Sequence, residues 1–155
     1  MAREIERKFL VTSDSWRHAA TSSRRLQQYY LTRDRRSSVR VRIDGETRAW
    51  LTIKSAESGL ARDEFEYAIP VDDARAMVPL AEGAVIDKVR HIVPHAGYAW
   101  EIDVFAGDNA GLIIAEVELP AAGASPELPA WVGQEITADR RYYNASLAQQ
   151  PYNTW

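Results

Sequence analysis

Two carboxylates and a lysine stand at alternate positions near the start of the chain, in Glu4-Ile5-Glu6-Arg7-Lys8. A β-strand turns successive side chains to opposite faces, so Glu4, Glu6 and Lys8 share one face while Ile5, Arg7 and Phe9 take the other. Two carboxylates so placed can converge on one hard divalent cation, and the lysine can meet an anion that the cation also holds. The chemistry suggested is a metal and phosphate site. A solvated strand face accounts for one such segment equally well, so the weight rests on recurrence.

The period-two pattern recurs in seven further segments, each pairing an apolar row with a polar or charged one. Residues 26–32 put Gln28, Tyr30 and Thr32 on one face. Residues 38–44 set Arg40 and Arg42 against Val39, Val41 and Ile43, and 48–54 set Arg48, Thr52 and Lys54 against Ala49, Leu51 and Ile53. Residues 62–69 place Arg62, Glu64 and Glu66 opposite Phe65, Tyr67 and Ile69, and 86–93 place Lys88 and Arg90 opposite Val89, His91 and Val93. Finally, 98–105 offer Glu101 and Asp103, and 112–119 offer Glu116 and Glu118, each against an apolar row.

The elements that must hold these rows are therefore strands, eight of them, and turn residues separate them. Asp44-Gly45 is a hairpin dipeptide, and residues 107–111 link the last two strands, which favours sequential antiparallel pairing. Helices are predicted at 14–20, at 72–82 with Asp72 or Asp73 as N-cap and Pro79 cutting it short, and at 137–149 with Thr137 as cap. Residues 121–129, rich in Pro and Ala, read as a loop.

At 155 residues, with 46 % hydrophobic and 26 % charged, the chain fits one domain spanning 1–155. A net charge of −3 gives no basic field for nucleic acid, so any polyanion must be met by a local cluster. The chain has no cysteine, which excludes thiolate metal sites and cysteine nucleophiles and fits a reducing compartment. The charged start and the lack of an apolar run of about 18 residues predict a cytoplasmic protein with no membrane span. Phosphate loops of the GxxxxGK[ST] or GxGxxG kind do not occur, so phosphate must be held by side chains. His18, His91 and His95 are too scattered for a ligand set. Trp50, Trp100 and Trp131 are expected to pack in the core, and Trp16 and Trp155 to act as anchors.

An open sheet or sandwich with its charged rows in water satisfies the alternation. A closed barrel satisfies it too, with the charged rows inside and helices over the outer apolar face. Unpaired buried ions cost several kcal/mol each, so an inward charged face requires mutual pairing, bound cations or an anionic ligand. A metal-bound polyphosphate supplies both partners. Arg40, Arg42, Lys54, Lys88 and Arg90 would hold phosphate oxygens, and Glu4, Glu6, Glu116 and Glu118 would hold Mg²⁺ or Mn²⁺.

The ordered set Glu4-Ile5-Glu6-Arg7-Lys8, Val39-Arg40-Val41-Arg42, Leu51-Thr52-Ile53-Lys54, Arg62-Asp63-Glu64-Phe65-Glu66, Lys88-Val89-Arg90, Trp100-Glu101-Ile102-Asp103 and Glu116-Val117-Glu118 resembles the CYTH superfamily, the triphosphate tunnel metalloenzymes. Residues 137–144 resemble that family's C-terminal helix. The resemblance implies a mainly β, α+β fold: an eight-stranded antiparallel closed barrel with a charged tunnel and a few flanking helices. It implies Mg²⁺- or Mn²⁺-dependent hydrolysis of a triphosphate, above all inorganic tripolyphosphate, in the manner of the short stand-alone bacterial members. It further implies metal ligands among Glu4, Glu6, Glu66, Asp103, Glu116 and Glu118. Substrate contacts fall to Lys8, Arg40, Arg42, Lys54, Arg62, Lys88 and Arg90, and catalytic roles to Lys88, Tyr30 and Glu64. Which of Tyr29 and Tyr30 faces inward depends on strand register. An adenylate cyclase of the same fold, a thiamine triphosphatase and a non-catalytic polyphosphate-binding module are the alternatives, and a homodimer through an outer strand or helix stays open.

Overall fold

The computed structural model describes residues 2–34, 36–55 and 61–155, with no side-chain detail for residues 2, 3 and 61. Nine strands form in chain order: β1 (Ala2–Val11), β2 (Ser22–Arg33), β3 (Ser37–Asp44), β4 (Arg48–Ser55), β5 (Ala61–Ile69), β6 (Glu82–His95), β7 (Tyr98–Phe105), β8 (Ile113–Glu118) and β9 (Val132–Glu135). Two short helices, α1 (Val71–Ala76) and α2 (Asn144–Gln149), accompany them.

The sheet order is β5-β4-β3-β2-β6-β7-β8-β1-β9, and a further pairing of β5 with β1 closes the first eight strands into an antiparallel barrel. Closure removes the exposed sheet edges that an open arrangement would leave. β1 is shared along its length: residues 2–5 pair with β5, residues 6–10 with β8, and Phe9 and Val11 with β9 outside the ring. Sequential pairing holds from β2 to β5 and from β6 to β8. It fails between β1 and β2 and between β5 and β6, because ring closure spends those edges on β8, β5 and β2.

Alternation then sorts the side chains. Phe9, Val93, Trp100, Ile102, Ala115, Val117 and Leu119 pack outside the wall, covered by Trp16 and Trp131 from the flanking loops. A second outer cluster joins Tyr29, Val41, Ile43 and Ala49 to Ala74 of α1. The third core is internal. Tyr30, Ile86, Phe105 and Ile114, with Leu10 against them, pack on Leu147 and Ala148, so α2 lies over one end of the barrel rather than over its outer face.

Helix boundaries shrink relative to expectation. Residues 14–20 form only a single 3-10 turn, Arg17–Ala19. The 72–82 segment becomes α1, a 3-10 turn Val78–Leu80 at Pro79, and then the start of β6 at Glu82. Pro70, not Asp72 or Asp73, precedes the first turn, and the two aspartates sit within it, where negative charge suits the amide end. Residues 137–149 yield a 3-10 turn Arg140–Tyr142 and the six residues of α2. Thr137 caps neither, since its hydroxyl oxygen accepts the Lys8 amide at 3.0 Å. Trp16 is a fully buried core residue rather than a peripheral anchor, stacked edge-on to His91 at 4.9 Å.

Candidate functional site

The inward rows of β1 and β3–β8 converge on a cavity of about 140 Å³, joined by Tyr30 of β2 and by Tyr143, Asn144 and Ala145 at the start of α2. Register settles the tyrosine question. Tyr30 reaches this cavity, whereas Tyr29 points outward and its hydroxyl donates to the Ala74 carbonyl.

Arg40 and Arg42 come from β3, two residues apart and therefore on the same inward face. Arg40 is 6 % exposed and donates to Thr52 Oγ1 at 3.3 Å, and Thr52 in turn donates to Glu66 at 3.3 Å. Arg42 donates through Nε to Gln28 Oε1 at 3.0 Å. Burial, with Arg40 and Arg90 nearby, lowers the Arg42 pKa to about 9. Among the described residues neither Arg40 nor Arg42 has an ion-pair partner. Two forked cations held in place by neutral groups form a seat for an anion.

The carboxylates face them. Glu4 accepts from Lys54 Nζ at 2.7 Å, with Arg62 at 3.8 Å. Burial acts to raise its pKa, but these two cations outweigh it and hold the carboxyl well below the usual range. Lys54 also lies 3.4 Å from Glu64. Glu6 behaves oppositely: burial, and after it the Glu116 and Glu4 carboxylates, pushes its pKa well up. Lys8 Nζ lies 3.6 Å from Glu6 and 3.8 Å from Glu116. Glu118 is paired with Glu6 in the β1–β8 register and completes this acidic side.

Glu4, Glu6, Lys8, Tyr30, Arg40, Arg42, Lys54, Arg62, Glu64, Glu66, Arg90, Glu116 and Glu118 are thus gathered around one space. Lys88 and Asp103 are not among the lining residues. They are 0 % and 1 % exposed and bond to each other at 2.7 Å inside the barrel, beside Phe105 of the internal core, where Asp103 also takes two hydrogen bonds from Arg90 at 2.8 and 2.9 Å. Burial opposes ionisation of Asp103, but Arg90 and then Lys88 hold it ionised and far below the ordinary range. Both of its oxygens are occupied by cations, so its position suits a strut better than a metal ligand. Burial lowers the Lys88 pKa to about 8.

Sequence reasoning did not assign Ser38, Glu101, Tyr143, Asn144 and Ala145 to the site. Glu101 shares its face with Asp103 and pairs with Arg90 at 3.2 Å, so its parity already marked it. Nothing in the spacing marked the α2 residues.

The donor set fits a hard cation: seven glutamates and no nitrogen or sulfur ligand type line the cavity. The upward push on Glu6 comes first from burial and then from the Glu116 and Glu4 carboxylates, and a divalent ion would relieve the repulsive part. As placed, no cluster of three acidic or imidazole groups among the described residues already converges on one point, because lysines occupy the spaces between carboxylates.

A closed antiparallel barrel thus surrounds a charged chamber, and the CYTH domain model matches residues 2–152: the chain belongs to the CYTH family. An inorganic triphosphatase of Acetivibrio thermocellus is 40 % identical over 156 residues, covering 100 % of this chain and 99 % of that one. An inorganic triphosphatase of Nitrosomonas europaea is 40 % identical over 152 residues, covering 94 % and 96 %. The solved structure of the inorganic triphosphatase NE1496 superposes with a TM-score of 0.71 at 35 % identity, over 96 % of this chain and 95 % of that one. Triphosphatases of this family are in general metal-dependent. No helix among the described residues is long and apolar enough to cross a membrane.

Proposed function

We propose that the chain hydrolyses inorganic tripolyphosphate, with Mg²⁺ or Mn²⁺ as the working ion. The observation that carries this reading is the pair Arg40, buried, and Arg42, half-buried, both without ion-pair partners among the described residues, facing a wall of glutamates across one small cavity. Sites for drug-sized organic ligands run to roughly 300–1,000 Å³. A chamber of about 140 Å³ suits a compact inorganic chain better than a nucleoside or thiamine triphosphate. The 40 % identity to two inorganic triphosphatases supports the same reading.

Arg40, Arg42 and Arg90 bind phosphate oxygens through their planar forks, while Lys8, Lys54 and Arg62 add point charge along the chain. Glu4, Glu6, Glu116 and Glu118 would hold the divalent ion, with Glu66 beside them. When bound, such an ion polarises phosphoryl oxygens and lowers the pKa of water. Water forms the new P–O bond at a terminal phosphorus, the bridging P–O bond breaks, and pyrophosphate departs. Glu64 takes the water proton, and the Tyr30 hydroxyl orients the bound chain. Basic side chains neutralise charge building on the transferred and leaving groups, so catalysis is positioning plus fixed electrostatics, without a protein nucleophile. Lys88 supports this from behind, through Asp103 and Arg90.

The test is product analysis after incubation with Mg²⁺ or Mn²⁺ and, separately, tripolyphosphate, ATP and thiamine triphosphate. Phosphate released fastest from tripolyphosphate supports the proposal. Cyclic AMP from ATP makes the chain a cyclase instead, and binding of tripolyphosphate without turnover makes it a polyphosphate-binding module.

A further inference from the structure

Lys8 is surrounded differently from the other cavity lysine. Lys54 Nζ makes a 2.7 Å bond to Glu4, the length of a charge-assisted hydrogen bond, whereas Lys8 Nζ stands 3.6 and 3.8 Å from the oxygens of Glu6 and Glu116. At these separations the two carboxylates attract the ammonium through space rather than through a hydrogen bond. On another side lies the Tyr143 ring, its centroid 5.0 Å from Nζ. An aromatic face draws a cation electrostatically at this range, and the draw grows where water is excluded, as it is for Lys8 at 7 % exposure.

The ring is itself held. The Tyr143 hydroxyl donates to the Thr137 carbonyl at 3.0 Å. Thr137 Oγ1 accepts the Lys8 amide at 3.0 Å, and the Ile136 amide donates to the Lys8 carbonyl at 2.8 Å. A closed circuit therefore runs from the Lys8 backbone through residues 136–137 and the Tyr143 hydroxyl back to the Lys8 ammonium. Both ends of Lys8 are referred to the same short segment, and Tyr143 lines the cavity.

We propose that Tyr143 is a positioning residue for Lys8: its ring keeps the ammonium turned into the cavity, where it meets a polyphosphate oxygen, instead of collapsing onto Glu6 or Glu116. The inference rests on the reading of the cavity as a tripolyphosphate site. Tyr143 itself touches no reacting atom. Its effect is on how well the anion is held.

Calorimetric titration of the full chain with tripolyphosphate in EDTA tests this, using Tyr143→Leu, Tyr143→Phe, Lys8→Gln and the Lys8→Gln/Tyr143→Leu double variant, with turnover measured in parallel. Tyr143→Leu should raise the Kd about fivefold, the order of one partly buried cation–π contact. Tyr143→Phe, which keeps the ring but loses the hydroxyl that anchors it, should fall between wild type and the leucine variant. In the Lys8→Gln background the leucine substitution should add nothing, because the two residues act as one unit. A leucine effect undiminished without Lys8, or a phenylalanine variant as weak as the leucine one, would overturn the assignment. Should the unsubstituted chain bind tripolyphosphate but not cleave it, the hydrolase reading fails while the positioning role stands. No binding in EDTA and none when Mg²⁺ is added overturns both.

Discussion

Lys54 of β4 donates to Glu4 of β1 at 2.7 Å although fifty positions separate them in the chain. β5 lies between their strands, so the bond crosses the interior of the closed ring. In the proposed reading, a base assigned to phosphate thereby holds an acid assigned to the metal, and a phosphate with its cation would reorganise both at once.

Lys54→Gln is expected to cut turnover of tripolyphosphate about 100-fold, the order seen when one preorganised charge-stabilising donor is removed. Glu4 keeps Arg62 at 3.8 Å, so the melting temperature should move by only a few degrees. Phosphate-release rates and a thermal melt on the same sample decide it, and an unimpaired rate would remove Lys54 from the site.

Glu6→Gln should abolish turnover while leaving the fold intact, and its stability should differ from wild type in a pH-dependent way. The Glu6 pKa in the folded chain stands well above its unfolded value, which favours the protonated form on folding. That stability is fully present below the unfolded pKa of about 4.3 and is lost as pH rises through the folded value. In EDTA the variant should therefore melt with wild type near pH 4 and above it at pH 8. A variant that melts lower at pH 8 contradicts the carboxylate repulsion, and one that retains activity contradicts the metal site.

Asp103→Asn leaves Lys88 without its ion-pair partner in a position of 0 % exposure. Breaking a buried pair from one side costs roughly 3–5 kcal/mol. The Asp103 pKa is depressed in the fold, so its contribution is present above the unfolded value of about 3.9 and fades as pH falls below it. Urea denaturation at pH 7 and pH 3.5 should show a large gap at the first and a smaller one at the second. A gap that widens in acid would rule the strut out.

Gly83 separates backbone strain from crowding. It adopts a φ of +84°, and a Cβ there would stand 2.6 Å from the Ala148 carbonyl oxygen, where α2 meets β6. Gly45, at φ +62°, has nothing within 4 Å. Left-handed backbone costs a residue with a Cβ about 1–2 kcal/mol at either position, and overpacking adds about 1–3 kcal/mol at Gly83 alone. Gly83→Ala should therefore melt well below Gly45→Ala. Equal melting temperatures would mean that α2 does not press on this strand.

Much of the site was legible because a two-residue period assigns faces without any knowledge of topology. Arg40 with Arg42, or Glu116 with Glu118, need only be in strands to point the same way. Depth is another matter. Lys88 and Asp103 carry the same parity as Arg90 and Glu101, yet only the second pair lines the cavity, while Lys88 lies against Phe105 of the internal core, a difference in depth that spacing does not carry. β9 escaped notice because four residues, Val132–Glu135, carry too little alternation to register, and Gly133 within them sits where a Cβ would be 2.5 Å from Thr12. The helices were overdrawn for a related reason. Residues 137–149 can be helical by composition, but the Thr137 hydroxyl is engaged by the Lys8 amide of β1 and the Thr137 carbonyl accepts the Tyr143 hydroxyl.

The division of β1 between β5, β8 and β9 bears on how the chain reaches its native state. Its first ten residues leave the ribosome before any of those partners exists, and the last of them, β9, ends at residue 135. Contacts across such sequence distances form slowly, because loop-closure entropy must be overcome before they reward the chain. Hairpins β2–β5 and β6–β8 can assemble during synthesis; residues 2–5 of β1 gain their partner once β5 is made, while residues 6–10 wait for β8. Glu4 and Glu6 ride on β1, so in the proposed reading the carboxylate side of the cavity is completed only when β8 closes the ring.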